Sequence, residues 1–405
     1  MKKYSIVLLF TLCIINSNNA QTRFQKDFSS LWNAIHSGFA YFDTQKTDWK
    51  HVKEIYQPII DTTSNKQDFI MSLESIIHEL YNGHISLNVN LPSSNRLIPN
   101  GTDLWVEYID HQFIITNLKE HENAALSGIE PGMILTHYND IPIKTAIKKV
   151  LPKSFKNYDK KVYDYAGNVI VAGTHNQKRK FTVSHNNKTL HFYPDDVKTP
   201  KSENTSLLEA TVLENNIAYI KINNSLGKNN LIKVFGKAVD KLSETKAMIL
   251  DLRDTPGGGN TTVARAIMGK FISYEQPYQK HLFPAEEKEY GIRRSWIEYV
   301  SPNGKIYTKP LAVLVGRWTG SMGEGIAIGF DGLKRGKIVG TKMAGLLGAI
   351  NCFTLSETQI RVCLPTEKLF HINGTPREDF IPEFQTKTDK ETFQTGLNLL
   401  ASGKQ

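Results

Sequence analysis

Apolar residues recur at helical spacing along the first part of the chain. Leu31, Trp32, Ile35 and Phe39 form one stripe, Trp49, Val52, Ile55 and Tyr56 a second, and Phe69, Leu73, Ile76, Ile77 and Leu80 a third. Polar residues fill the positions between them, so residues 22–82 are predicted to form a small helical bundle with one buried face per helix. Asn82-Gly83 is a helix stop signal. His84 follows at once, and Ile85 to Asn90 alternates like a strand. His84 is therefore expected at a helix-to-strand corner. Position alone favours a structural histidine over a functional one.

The pattern changes after residue 97. Leu104 to Tyr108 and Gln112 to Asn117 read as strands. They are followed by the small-residue segment Asn123 to Ser127, Gly128-Ile129, Pro131-Gly132, the apolar run Met133 to Leu135 and a turn at Asn139-Asp140. This order of short helix, glycine turn, Pro-Gly and strand resembles a PDZ domain, with Met133 where that pattern has Asp and Asp140 where it has Gly. The resemblance implies a β-rich unit that takes a peptide as an added strand. A purely scaffolding role is the alternative. Residues 151–206 are rich in Lys, Asn and Asp, with strand-like pieces at Lys180 to Val183 and Thr189 to Tyr193, and read as a connector that extends or edges the second unit.

From about residue 207 strands and helices alternate. Ile217 to Ile222 and Ala247 to Leu252 are strands. Leu231, Phe235, Val239 and Leu242 mark one helix, and Val263, Ile267 and Phe271 another. Leu311 to Val315 is a fully apolar strand, Ile326 to Phe330 lies in a helix, and Ile338-Val339 is a further strand. Such alternation predicts a mostly parallel sheet with right-handed crossovers. The fold class is thus multidomain α+β. Its expected units are a helical region at 21–96, a PDZ-like domain with its connector at 97–206, an α/β core at 207–387 and a C-terminal helix or tail at 388–405.

The first twenty residues stand apart. Lys2 and Lys3 precede an apolar run from Ser5 to Ile15, and Ala20 ends a small-residue site before Gln21. This is the form of a secretory signal peptide, too short to span a membrane. Leu12 before Cys13 disfavours a lipoprotein cleavage site. No later run reaches transmembrane length, so the mature chain is expected outside the cytoplasm, periplasmic or extracellular, without stable membrane insertion. Net charge is +9, and it is spread along the chain rather than clustered, which argues against nucleic-acid binding. Cys352 and Cys363 flank a segment that alternates like two short strands around Glu357-Thr358. An oxidising compartment allows them a cross-strand disulfide, and two unpaired core thiols are the other reading.

Two stretches carry chemistry. Gly316-Arg317-Trp318-Thr319-Gly320-Ser321-Met322-Gly323-Glu324-Gly325 links a buried strand to a helix, which puts Ser321 at the helix N-terminus beside free N–H groups. A hydroxyl there suits a nucleophile whose oxyanion forms next to ready donors. An N-cap is the alternative. Asp251 to Asn260 ends a strand with Gly257-Gly258-Gly259, which exposes backbone N–H groups at the edge where α/β sheets bind ligands. A phosphate cradle is the competing reading, disfavoured by the missing Gly-Lys-Ser/Thr ending of a P-loop. There is no His-Glu-x-x-His run, and the His and Cys residues lack ligand spacing, so neither metal nor cofactor is expected.

Together these pieces resemble the C-terminal processing (tail-specific) and tricorn-core serine peptidases. The family's Gly-His motif is matched by Asn82-Gly83-His84-Ile85-Ser86, its Asp-Leu-Arg-x-Asn-x-Gly-Gly by Asp251 to Gly258, and its Thr-x-Ser-x-x-Glu by Thr319 to Glu324. One branch of the family uses a Lys base, and Leu346 stands where that Lys would be. Lys342, nearby, keeps a displaced Ser-Lys arrangement open. The tricorn-like branch uses His and Glu, and Glu378, 57 residues after Ser321, falls in the corresponding place. Asp379 and Phe380 replace that motif's glycines and Glu383 its final Asp.

The resemblance implies a serine endopeptidase acting on a protein or peptide substrate. In it Ser321 attacks, His84 is the general base, Glu378 orients the site, and Gly257, Gly258 and Met322 supply the oxyanion hole. Non-catalytic ligand binding on the same fold and hydrolysis of a non-peptide ester are the rival readings. Oligomeric state is not legible.

Overall fold

The computed structural model describes residues 21–197 and 206–401, and the expected leader at 1–20 lies outside them. Three helices begin the chain, α1 (Arg23–Gly38), α2 (Trp49–Thr62) and α3 (Lys66–His78). Each is capped by a polar side chain at its start. Thr22 and Gln25 form a capping box, and Asp48 and Asn65 accept first-turn N–H groups. Their apolar stripes meet in one cluster that includes Phe28, Leu31, Val52, Tyr56, Phe69 and Leu73. The cluster is closed from far along the sequence by Leu355, Ile360, Val362 and Leu364. Buried Asp27 fixes that contact by accepting the N–H groups of Glu357 (3.0 Å) and Thr358 (2.8 Å). The strand expected over 85–90 is shorter, β1 (Ser86–Leu87).

The second unit comprises β2 (Leu104–Ile109), β3 (Gln112–Leu118), α4 (Asn123–Leu126), β4 (Ile134–Tyr138), β5 (Ile141–Pro142), α5 (Ile143–Ala146), α6 (Lys160–Ala172), β6 (Phe181–His185) and β7 (Lys188–Phe192). Its sheet is antiparallel in the order β2-β3-β4-β6-β7, with β5 on β4. The strand-like pieces expected within residues 151–197 are β6 and β7, which extend the edge of this sheet. The same stretch also holds α6, which was not expected. The helix escapes a periodicity reading because Ala166 to Ala172 are all buried, and because Gly167 and the branched run Val169-Ile170-Val171 weaken helix propensity. Gly167 is required by close approach, since a Cβ there would lie 2.7 Å from the Phe113 ring.

The third unit continues with β8 (Leu208–Leu213), β9 (Ile217–Ile222), α7 (Asn230–Lys241), β10 (Ala247–Asp251), α8 (Thr261–Met268), β11 (Gln276–Phe283), α9 (Pro284–Tyr290), β12 (Arg294–Val300), β13 (Leu311–Val315), α10 (Met322–Gly332), β14 (Lys337–Gly340), β15 (Ala349–Thr354), β16 (Arg361–His371), β17 (Phe384–Gln385) and α11 (Asp389–Ala401). One sheet runs β17-β14-β13-β10-β9-β8, parallel except for the β8–β9 pair. Both of its faces are covered, which explains the unbroken apolar runs. Met248, Leu250, Leu311 and Val313 pack on the side of α7, α8 and α10. Ile249, Ala312 and Leu314 pack against Phe393 and Leu397 of α11. A second sheet, β1-β16-β11-β12 with β15 on β16, joins this unit to the helical region. Cys352 and Cys363 are cross-strand partners on β15 and β16 and form a disulfide. The result is a mixed α/β multidomain chain.

Candidate active site

The loop before α10 is built by the ends of two adjacent strands. Thr319 accepts the Gly316 N–H (3.0 Å) and donates to Leu252 O (2.9 Å), while Thr255 N–H donates to Trp318 O (3.0 Å). The loop after β10 and the loop after β13 are thereby stitched side by side. Ser321 is the last residue before α10 and has φ 51° and ψ −109°. A side-chain-bearing residue held there carries strain of about 1–3 kcal/mol, a cost that clusters at functional sites.

Gly258 stands directly against this serine. A Cβ on Gly258 would lie 2.4 Å from Ser321 Cβ and 2.9 Å from its Oγ. Of the three expected oxyanion donors, two are already engaged. Gly257 N–H donates to Asn224 Oδ1 (2.7 Å), and Gly258 N–H makes a 3.2 Å turn bond to Thr255 O. Among the described residues the Met322 N–H meets no acceptor, as expected for a first-turn helix donor.

Beneath the serine lies Glu324, fully buried. One carboxylate oxygen accepts Ser321 N–H (2.8 Å). The other accepts the N–H groups of Gly345 (2.8 Å) and Leu346 (3.3 Å). Burial pushes this carboxyl up to about 7, opposed by the nearby Arg377 guanidinium and by those N–H donors. Arg377, 1% exposed, is 3.9 Å from Glu324 and donates to Leu346 O (2.9 Å) and Gly348 O (2.8 Å). Glu324 and Arg377 thus hold segment 344–348 from two sides, and Ala344 N–H adds a bond to Thr319 O (3.1 Å).

His84 lies on the far side of the same segment. Asn82 Oδ1 accepts the N–H groups of His84 (2.9 Å) and Leu347 (3.3 Å), and Asn82 Nδ2 donates to Gly345 O (3.4 Å). The ring nitrogen Nδ1 is 2.6 Å from Leu347 O. A carbonyl only accepts, so Nδ1 carries the proton and a neutral ring has its lone pair on Nε2. Burial, reinforced by the Arg377 charge, lowers the ring to about 4, with the Leu347 and Gly348 carbonyls pulling the other way. His84 is therefore neutral at neutral pH. Among the described residues no hydrogen bond joins His84 to Ser321 or Glu378.

Glu378 lines a cavity of about 520 Å³ together with Glu324, Arg377, Leu346, Leu347 and Lys342. Burial raises its carboxyl, and its buried Oε2 has no partner. The Lys342 ammonium makes no hydrogen bond among the described residues, and only the residue's carbonyl accepts one, from Thr341 Oγ1 (3.2 Å). The side chain nearest the serine loop on this side is Leu346, whose Cδ1 would lie 3.2 Å from a Cβ on Gly320.

Sequence reasoning missed Asn82, Asn224, Glu324 and Arg377 as contributors. Asn82 and Glu324 had a signal, since both lie inside matched motifs, and Ser321 with a Glu three residues later also has the spacing of a capping box. Glu324→Gln keeps the shape but offers an amide to three N–H groups and leaves Arg377 unpaired. It is expected to cost about 3 kcal/mol of stability, read as a lowered melting temperature, and to reduce turnover at least about tenfold.

Residues 216–384 match the model of peptidase family S41, and residues 20–77 match the tricorn protease C1 domain. Among solved structures the chain is similar to the photosystem II D1 C-terminal processing protease, at 15% identity over 95% of this chain and 97% of that one, with a TM-score of 0.57. It is also similar to mature CPAF (14% identity, 94% and 95% coverage, TM-score 0.61). A putative peptidase from Parabacteroides merdae gives 15% identity, 95% and 100% coverage and a TM-score of 0.54. At these identities the structural likeness is one of fold, and the family matches carry the assignment. Over residues 216–384 the chain is similar to peptidase family S41, and with the fold neighbours this makes it a serine-type peptidase.

Proposed function

We propose that the chain cleaves peptide bonds through an acyl-enzyme on Ser321, with His84 as general base. The observation that carries this reading is the strained Ser321 pressed against Gly258 beside the unengaged Met322 N–H. Ser321 Oγ attacks the scissile carbonyl and passes its proton to His84 Nε2. The imidazolium then protonates the leaving amine, and water repeats the sequence on the ester.

Met322 N–H is the principal oxyanion donor. Gly258 N–H joins it if substrate displaces the long bond to Thr255 O, whereas Gly257 N–H stays with Asn224. The lone pair on Nε2 and the low basicity of His84 supply the base form the reaction needs. Substrate must bring Nε2 within roughly 2.6–3.2 Å of the hydroxyl, a tightening common between free and bound enzymes. Glu378 is assigned the balancing of the imidazolium charge. Export through residues 1–20 and a PDZ-like role for residues 97–206 belong to the same proposal. The three larger of the expected units are supported by their separate apolar clusters, although residues 355–364 contribute to the helical one.

Cleavage of an unstructured polypeptide by purified mature protein tests the reading. Ser321→Ala is expected to retain the fold and to lose at least about a thousandfold in rate. Undiminished cleavage by that variant would refute it.

A further inference from the structure

β2 is one of the two edge strands of the second unit's sheet, the other being β7, so its outer edge is one place where an added strand could pair. Side chains of α6 already occupy it. Asn168 Oδ1 accepts Val106 N–H (3.0 Å), Asn168 Nδ2 donates to Val106 O (2.8 Å), and Asp164 Oδ1 accepts Tyr108 N–H (2.6 Å). The edge is closed from within the chain, and α6 and β2 form one bracket.

Glu107, between those two residues on β2, bonds outward to the serine loop. One carboxylate oxygen pairs with Arg317 Nη2, and the other accepts from Lys160 Nζ (2.7 Å). Lys160 also donates to Asp164 (2.6 Å), which returns the chain of bonds to the β2 edge. Arg317 lies over the Trp105 ring at 5.5 Å and donates to Met343 O (3.3 Å). Its neighbour Trp318 donates from Nε1 to Thr102 O (2.7 Å). Arg317 and Trp318 are the fourth and third residues before Ser321. The Glu107 and Arg317 side chains are 16% and 11% exposed, so the pair is shielded enough to hold a geometry that a surface pair would not.

We propose that Glu107 is a positioning residue for the peptidase reaction. Through Arg317 it sets where the serine loop stands, with the β2–α6 bracket as its rigid base. The proposal rests on the reading of Ser321 as nucleophile and goes beyond it by giving the second unit a fixed mechanical role. Substrate capture on the closed β2 edge has no part in it. The catalytic steps themselves are unchanged, because neither side chain is assigned contact with substrate.

The test compares wild type, Glu107→Gln, the Glu107→Gln/Arg317→Gln double variant and Arg179→Lys. Arg179 is buried between Asp103 (2.6 Å) and Asp195 (2.7 Å) in the same unit and, among the described residues, makes no hydrogen bond or ion pair with the serine loop itself. The readouts are kcat and KM on a peptide, the rate of fluorophosphonate labelling at Ser321, and Tm. Glu107→Gln should lower kcat and the labelling rate together by at least about tenfold, with KM within about twofold. The double variant leaves no orphan charge, so it should recover Tm without recovering kcat. Arg179→Lys should lower Tm and leave kcat unchanged. Wild-type kcat and labelling in Glu107→Gln, or equal kcat loss in Arg179→Lys, would overturn the proposal while leaving the nucleophile intact. Absence of any label on wild-type Ser321 would instead overturn the nucleophile reading, and this proposal with it.

Discussion

Gly258→Ala is expected to lose at least about a thousandfold in kcat/KM while remaining folded. The added methyl would sit 2.4 Å from Ser321 Cβ and 2.9 Å from its Oγ, closer than any non-bonded carbon pair tolerates. The residue's φ of +61° also penalises any side chain. Relief must come from moving the serine loop, the 257–259 loop, or both. A shift of about 1 Å at reacting atoms costs on the order of a hundredfold, and disturbing an oxyanion donor costs a further hundredfold or more. The stability penalty is smaller, on the order of 1–3 kcal/mol, because the site lies at a loop edge. Steady-state kinetics beside a thermal melt separate the two effects. Near-normal activity in this variant would mean that the glycine loop and Ser321 do not share one site.

The second large effect is at His84. Removing the base of a serine peptidase costs on the order of 10⁴ or more in turnover, and His84→Ala is expected to show it, with Lys342→Ala close to wild type. The reverse pattern would move the base to Lys342. The pH dependence has a definite sign. His84 is lowered from its ordinary value to about 4, so the unfolded chain takes up its proton first as pH falls. The stability contributed by the neutral ring is complete above about pH 6.5 and is lost progressively between there and pH 4. Activity should follow the folded ring, with the acid limb of kcat/KM near pH 4 and not near 6.5. A limb near 6.5 would show that His84 is not the group titrating in free enzyme.

Much of the scaffold was legible because local rules and the global fold agree. The three N-terminal helices have a single buried stripe each, and β13 is apolar throughout because both its faces are covered. The serine loop and the glycine triplet could be picked out because strand ends and helix starts leave backbone donors free. Other elements fail the same tests for physical reasons. α6 is buried at every position from Ala166 to Ala172 and so has no polar face over its second half. β12 is exposed along most of its length and its partner β11 carries mixed polarity, so neither reads as a core strand.

The site was less legible than the fold. Nothing in a sequence marks Arg377 as fully buried, because its partners, the Leu346 and Gly348 carbonyls and Glu324, converge only after folding. That Asn224 engages Gly257 N–H, leaving Met322 as the open donor, likewise depends on contacts between distant segments. The hinge of the whole arrangement, segment 344–348 gripped by Asn82, Glu324 and Arg377, carries no motif of its own.

Covalent trapping is the most direct check on the central claim. Purified protein treated with a fluorophosphonate, digested and mapped by mass spectrometry should carry a single adduct, on Ser321, which disappears in Ser321→Ala and forms far more slowly in His84→Ala. An active enzyme whose adduct maps to another residue, or whose labelling survives Ser321→Ala, would contradict the account.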